Sequence, residues 1–373
     1  MLTRKKNNKK NKTLKKNKLI VIKSNFESGN IKLKSISYNK NDKTLPIPIV
    51  NLEINKEPYN KSTPKSQLRY AYWFYFKAEN IKDKLVKFMI QNISVVNNDW
   101  EGFNITYSYD NKTWKRLPTK VNHKKRTLEW TINAKKNQVW FAYYPPYPNS
   151  KIKKILPKSE IIGITREKNP LLMCKLGTGP IKVWLICGQH PGETISLWIL
   201  EGFIRQILKK TDKLYKKFSF YIIPDANPDG RKNGNWYVSQ DGINLNRDWI
   251  NFKSPETRTI KEQLDNIGHE LVFDIHGDEG TKNHFITSSY NRKHYLHDKI
   301  GEELNKRIEN FQIDDYYKHK HSNMTRNTLD DYTQGITIEG AMKHQIFNHK
   351  TLQDEPLLIG KLLVDILLDI VFD

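Results

Sequence analysis

His190-Pro191-Gly192-Glu193 offers an imidazole and a carboxylate with two residues between them, directly after the apolar run Ile181-Lys182-Val183-Trp184-Leu185-Ile186-Cys187. Both groups are good Zn²⁺ ligands, and a buried strand ending on them would deliver them to the edge of a sheet. The spacing alone equally suits a loop followed by a capped helix. Two further apolar runs carry the argument. Leu271-Val272-Phe273-Asp274-Ile275 ends in His276, followed by Gly277-Asp278-Glu279, and Gly335-Ile336-Thr337-Ile338 ends in Glu339. Ligands of an α/β sheet bind at the carboxyl ends of its strands. Three strand ends therefore present His plus Glu, His, and Glu. That is enough for two imidazoles and a carboxylate on a metal, an open fourth position for water, and a further carboxylate to act as base.

A second constellation lies between these runs. After Phe218 to Ile223 the chain reads Pro224-Asp225-Ala226-Asn227-Pro228-Asp229-Gly230, then Gly242-Ile243-Asn244-Leu245-Asn246-Arg247-Asp248-Trp249. An Asn beside an Arg suits a planar anion, because the guanidinium fork binds a carboxylate bidentately while the amide donates another bond. A plain turn with a surface Arg has the same spacing.

The elements that must position these groups follow from the pattern of the chain. From 151 to 373, apolar runs at 181–187, 218–223, 271–275 and 336–338 alternate with helical stretches at 194–209 and about 256–267, 295–310 and 355–371. This alternation predicts an α/β catalytic domain with a mixed sheet flanked by helices. Residues 19–150 read instead as short β-branched and aromatic pieces, among them 19–22, 69–76, 88–93 and 105–109, separated by turn signals such as 97–99 and 110–112. They predict an antiparallel β-sandwich preceding the catalytic domain. The proline-rich stretch Tyr143 to Pro148 cannot continue a helix or a central strand, and marks the junction. Residues 1–18 are Lys/Asn-rich without periodicity and are expected to be a disordered basic tail.

Length and charge bound the function. A chain of 373 residues suffices for two domains. Its formal net charge of +23 includes nine Lys/Arg without an acid between residues 4 and 18, and the remainder is still basic. Such a chain is drawn to polyanions, and nucleic acid stays open as a partner of the tail. Only Cys174 and Cys187 occur, both in apolar runs, which suits buried free thiols in a reducing compartment. The basic N-terminus lacks the apolar core of a secretory signal. In the apolar stretch Leu357 to Val371, Lys361, Asp365 and Asp369 recur every four residues, as on an amphipathic helix rather than a membrane span. A soluble cytoplasmic protein without a membrane partner is expected, with the glycosylation patterns at Asn104 and Asn111 unused.

Taken together, His190-Pro191-Gly192-Glu193, Asn227-Pro228-Asp229-Gly230, Asn244-Leu245-Asn246-Arg247, Asp274 to Glu279 and Glu339 resemble the zinc carboxypeptidases, specifically the cytosolic carboxypeptidase branch with its deglutamylase-like members. Trp73-Phe74-Tyr75-Phe76 and Tyr143-Tyr144-Pro145-Pro146-Tyr147 are similar to the β-sandwich that precedes the catalytic domain in that branch. The resemblance implies one Zn²⁺ on His190, Glu193 and His276, with Glu339 as general base and Asn246 with Arg247 holding the terminal carboxylate of the substrate. It implies an exopeptidase acting on C-terminal residues of peptides or protein tails, acidic tubulin-like polyglutamate tails among them. One position departs from the family pattern. Where an arginine is expected to polarise the scissile carbonyl, Gly234-Asn235-Trp236-Tyr237 places Tyr237. Loss of such a cation costs about 3 kcal/mol in a barrier, and Arg231 and Lys232 are the nearby substitutes. Tyr332 is the candidate for the mobile tyrosine of many carboxypeptidases, and Lys282, Arg326 and Lys343 for a basic specificity pocket. The competing expectations are a catalytically weak or inactive relative that binds acidic polymers, and a zinc amidohydrolase of the same fold.

Overall fold

The computed structural model describes residues 19–38, 47–59, 71–94, 99–156, 158–209, 212–288, 295–313, 328–333, 335–343 and 351–370. The expectations for the 1–18 tail, for Arg326 and for the turn at 97–98 lie outside the described residues.

Two five-stranded sheets occupy the N-terminal part. One has the order Val21–Lys23, Tyr75–Glu79, Gln138–Ala142, Ile105–Ser108, Lys115–Leu117, and is antiparallel throughout. The other runs Lys32–Tyr38, Pro48–Glu53, Leu85–Ile90, Thr127–Asn133, Lys120–Asn122. Its one parallel pair joins Pro48–Glu53 to Leu85–Ile90, and its other pairs are antiparallel. Alternation makes the inner faces: in Leu85–Ile90, Val86, Phe88 and Ile90 are buried while the residues between them are more open. Phe88, Trp130, Phe76 and Phe141 form the aromatic centre, with Phe88 stacked on Trp130 at 5.4 Å. Of the 69–76 run, residues 71–76 are described, and within them the strand begins at Tyr75. Ahead of it the Tyr72 hydroxyl donates to Asp99 and the Trp73 indole to the Ser28 carbonyl.

The C-terminal part is built on an eight-stranded mixed sheet in the order Glu160–Ile164, Pro170–Leu176, Phe218–Ile223, Ile181–Cys187, Leu271–Asp278, Gly335–Ala341, Phe285–Ser288, Gln312–Ile313. The four central strands are mutually parallel. Their carboxyl ends therefore lie at one edge, and both faces are covered. Val183, Leu185 and Cys187 face one apolar cluster, Trp184 and Ile186 the other. Helices Ile195–Ile207 and Asp354–Ile370 pack on the first face and against each other. A Cβ on Gly202 would stand 2.0 Å from the Leu357 carbonyl oxygen, and one on Gly360 1.8 Å from that of Ile199, so their backbones meet across two glycines. No helix among the described residues is long and apolar enough to cross a membrane.

The Tyr143 to Pro148 segment ties the two parts together. Thr194 Oγ1 and Trp198 Nε1 both donate to the Pro145 carbonyl, at 3.0 and 3.1 Å, and Tyr147 donates to Glu201. Beside it Trp236 packs between Tyr72 and Tyr143, with ring centroids 5.3 and 5.0 Å away. Aromatic surface from both parts thus closes one continuous core.

Candidate metal centre

The strand Ile181–Cys187 ends at Gly188, whose φ of 74° turns the chain sharply across the sheet edge. A side chain there would also collide with Arg231 and Asp225. The turn that follows, residues 189–193, is held at three backbone points. Asn227 Nδ2 donates to the Gln189 carbonyl at 3.1 Å, a guanidinium nitrogen of Arg231 to the Pro191 carbonyl at 3.1 Å, and Gly192 N to the Trp236 carbonyl at 3.0 Å. Arg231 is itself buried and bidentate on Asp225, at 2.7 and 3.1 Å. It braces the turn and does not project a free cation; Lys232 is exposed.

His190, Glu193 and His276 converge in the space this turn encloses. His190 Nδ1 lies 2.7 Å from Glu193 Oε1 and His276 Nδ1 2.9 Å from Glu193 Oε2. All three residues are buried, and their ligand atoms lie within 4.8 Å of one another. Gly277 N donates to Glu193 Oε2 at 3.0 Å and fixes the carboxylate. The far ring nitrogens meet acceptors: His276 Nε2 is 3.1 Å from Asp274 Oδ2, and His190 Nε2 is 3.1 Å from Asn244 Oδ1. Gln189 Nε2 donates to both Asp274 oxygens, at 2.8 and 2.9 Å.

An acceptor at Nε2 keeps the ring proton there and leaves the Nδ1 lone pair facing the Glu193 oxygens. Lone pairs less than 3 Å apart repel unless a proton or a cation sits between them. The donor set of two imidazoles and a carboxylate, with the outer nitrogens held by acceptors, fits Zn²⁺. The titration of the groups reflects the same crowding. Burial would raise the Glu193 carboxyl, but the two imidazoles hold it below the usual range. Burial pulls His190 down against the attraction of Glu193. For His276, burial is outweighed by Asp274 and Glu193, and the imidazole is held well above the usual histidine range.

Glu339 stands opposite His276 in the parallel register of the strands Leu271–Asp278 and Gly335–Ala341. Burial pushes its carboxyl well above the ordinary value against the opposing charge of His276, and Glu193, Asp278 and Asp274 add repulsion in the same upward direction. A carboxyl so raised is suited to exchanging a proton.

The opposite side is formed by loops. Asn246 and Arg247 sit in the short helical turn Leu245–Arg247. Among the described residues, Asn246 Oδ1 lies 3.5 Å from both Gln189 Nε2 and Leu329 N. Arg247 bonds the Asn246 carbonyl, and its charge helps to depress His190. Tyr237 lays its ring on the His190 imidazole, with centroids 4.0 Å apart and planes 15° apart. Tyr332 directs its hydroxyl to Asp265 at 3.2 Å within a cluster with Trp249 and Phe252. Lys343 is buried, which lowers its pKa despite the carboxylates of Asp99, Asp278 and Glu279 nearby; Lys282 adds like charge to the same group.

The structure thus brings together all four strand-end residues singled out by sequence, with Arg247 near His190. Sequence reasoning passed over Asp274, Gln189 and Asn244 as partners of the imidazoles. Asp274 was within reach of it, since residues two apart on a strand share a face.

The family model described as zinc carboxypeptidase matches residues 153–350, and that of the cytosolic carboxypeptidase N-terminal domain matches residues 22–144. An uncharacterised protein of Zymomonas mobilis is 29% identical over 282 residues, covering 71% of this chain and 69% of its own length. Human cytosolic carboxypeptidase 1 is 27% identical over 290 residues, which is 62% of this chain but only 22% of that protein. The chain therefore matches under a quarter of that relative's length. Among solved structures, a metallo-carboxypeptidase of Burkholderia cenocepacia superposes with a TM-score of 0.79 at 24% identity, covering 95% of this chain and 99% of that one. One from Pseudomonas aeruginosa gives 0.77 at 23%, covering 94% and 99%. These two share the fold.

Proposed function

The chain belongs to the zinc carboxypeptidase family, and from that premise we propose that it is a metallocarboxypeptidase that releases C-terminal residues from peptides or protein tails. The convergence of His190 Nδ1, His276 Nδ1 and both Glu193 oxygens beside Glu339 carries this reading. His190, Glu193 and His276 would hold one Zn²⁺, which supplies Lewis acidity to water and to the scissile carbonyl when bound. Glu339 takes the proton of the attacking water and returns it to the leaving amine as the peptide bond breaks. Asn246 and Arg247 hold the terminal carboxylate, so that only a chain end presents its last peptide bond to Glu339.

Acidic tails are the substrate class that the net charge of +23 favours. Lys343 is a weaker candidate for recognising them, since Asp99, Asp278 and Glu279 already surround it. A cytoplasmic setting belongs to the same proposal and accords with two buried free cysteines. So does the division into a sandwich over 19–150 and a catalytic unit over 151–373, which the two family models flank. The second reading, a protein that binds acidic tails with little turnover, is favoured by Tyr237 at the position where the family pattern has its arginine.

Metal analysis combined with release of C-terminal residues from peptides ending in Glu, Asp, Lys and Leu separates the two. Glu339→Gln is expected to keep the metal and lose about 10²- to 10⁴-fold in kcat. A zinc-loaded wild type that releases nothing from the panel, yet retains acidic peptides in a salt-sensitive manner, would leave the binding reading.

A further inference from the structure

Glu57 stands outside everything described so far, in the segment after the strand Pro48–Glu53. It is 8% exposed. Its carboxylate receives three consecutive backbone amides from the other part of the molecule. Trp236 N donates to Oε1 at 2.8 Å, Tyr237 N is shared between the two oxygens at 3.2 and 3.1 Å, and Val238 N donates to Oε2 at 3.1 Å. Three successive amides aimed at one point form an anion-binding concavity. Here the anion comes from a residue nearly 180 positions earlier in the chain.

The amides so held belong to the segment that touches the metal centre. The Trp236 carbonyl accepts from Gly192 N, inside the His190 to Glu193 turn. The Tyr237 ring covers the face of His190. On the imidazole's edge, Asn244 Oδ1 holds Nε2. The contacts at Nδ1 and Nε2 hold the two ends of the ring in its plane, whereas the flat aromatic surface at 4.0 Å bears on its face.

We propose that Glu57 is a positioning residue of the metal centre: by gathering the amides of residues 236–238, the N-terminal sandwich presses Tyr237 onto His190 and sets the plane of that ligand. The inference rests on the metallopeptidase reading for its purpose, but the contact itself does not. On this view the sandwich is a working part of the site as well as a support for the fold.

The test uses the full chain and two readouts. In metal-free protein with labelled histidines, the ring current of Tyr237 shifts the His190 signals, which Tyr237→Ala identifies. Glu57→Gln, which places an amide NH₂ among the three donors, is expected to move those signals in the same direction as Tyr237→Ala. Chelator competition is expected to show about tenfold weaker Zn²⁺ binding for Glu57→Gln, with no further loss when it is added to Tyr237→Ala. Glu57→Asp, with both acceptor oxygens on a stem one methylene shorter, is expected to fall between wild type and Glu57→Gln. It also serves as the readable variant where the amide disrupts folding. Unchanged His190 signals in a folded Glu57 variant, or losses that simply add in the double variant, would overturn the proposal. A wild type that takes up no Zn²⁺ while its His190 signals still follow Glu57 would sink the metallopeptidase reading and leave the positioning role standing.

Discussion

The strand-end side of the centre and its loop side hold their side chains by different means. His276 and Glu339 are paired in the register of parallel strands, and His190 and Glu193 stand on the braced turn that follows the neighbouring strand. Most of the polar atoms around them have partners at 2.7 to 3.1 Å, from Glu193 outward to Asp274, Gln189 and Asn244. Tyr237, Asn246 and Arg247 stand on loops. Among the described residues, Asn246 Oδ1 reaches its partners at 3.5 Å, and Tyr237 is fixed through its backbone by a carboxylate from the sandwich. The rigid side is therefore the one that would hold a metal, and the softer side is the one that would meet a variable substrate. Ligand geometry tolerates little error, whereas a chain end must enter and leave.

This contrast can be broken at several points. The largest effect is expected at Arg231, which braces the rigid side. Arg231→Met leaves the Asp225 carboxylate buried without its partner and should cost about 3–5 kcal/mol in denaturant unfolding. A loss under 1 kcal/mol would mean that the turn does not depend on this pair.

The loop side should instead answer to pH. Burial pushes the Glu57 carboxyl up from the ordinary 4.5 to about 7, against the pull of the amides. A carboxyl whose pKa is raised on folding binds its proton more tightly in the native state, so its contribution to stability is greatest at acid pH. That contribution falls as pH rises from about 4.5 through 7. Relative to Glu57→Gln, which does not titrate there, wild type is expected to lose on the order of 2–3 kcal/mol between pH 4.5 and 8. Parallel stability curves for the two proteins would remove this part of the contrast.

The smallest of these effects sharpens the rigid side. Asp274→Asn should weaken Zn²⁺ binding by about 10- to 100-fold in chelator competition, since the carboxylate orients His276 through Nε2. If Asp274→Asn weakened the metal less than Glu57→Gln, the ranking of the two sides would be reversed.

Much of the strand-end side could be read in advance. The runs at 181–187, 271–275 and 336–338 end on the chemistry-bearing residues, and parallel strands must carry such ends to the same edge. The aromatic stretch 71–74 was a poorer guide: it lies ahead of the strand, where the Tyr72 hydroxyl bonds Asp99 and the Trp73 indole the Ser28 carbonyl, long-range contacts that strand propensity does not weigh. Arg231 shows the same limit. Sequence placed a cation near the site, and only the fold shows it consumed by Asp225 and the Pro191 carbonyl.

By itself the sequence determined the α/β alternation, the preceding β-rich region, the family, and the residue types gathered at three strand ends, because periodicity and motif spacing are local and survive without coordinates. Tertiary structure alone decided that Asn244 holds the outer nitrogen of His190, and that Glu57 reaches the amides beside Tyr237. Those contacts join residues up to 181 positions apart. The Glu57 contact depends on how two separately patterned regions pack, and neither region's own sequence pattern encodes that packing.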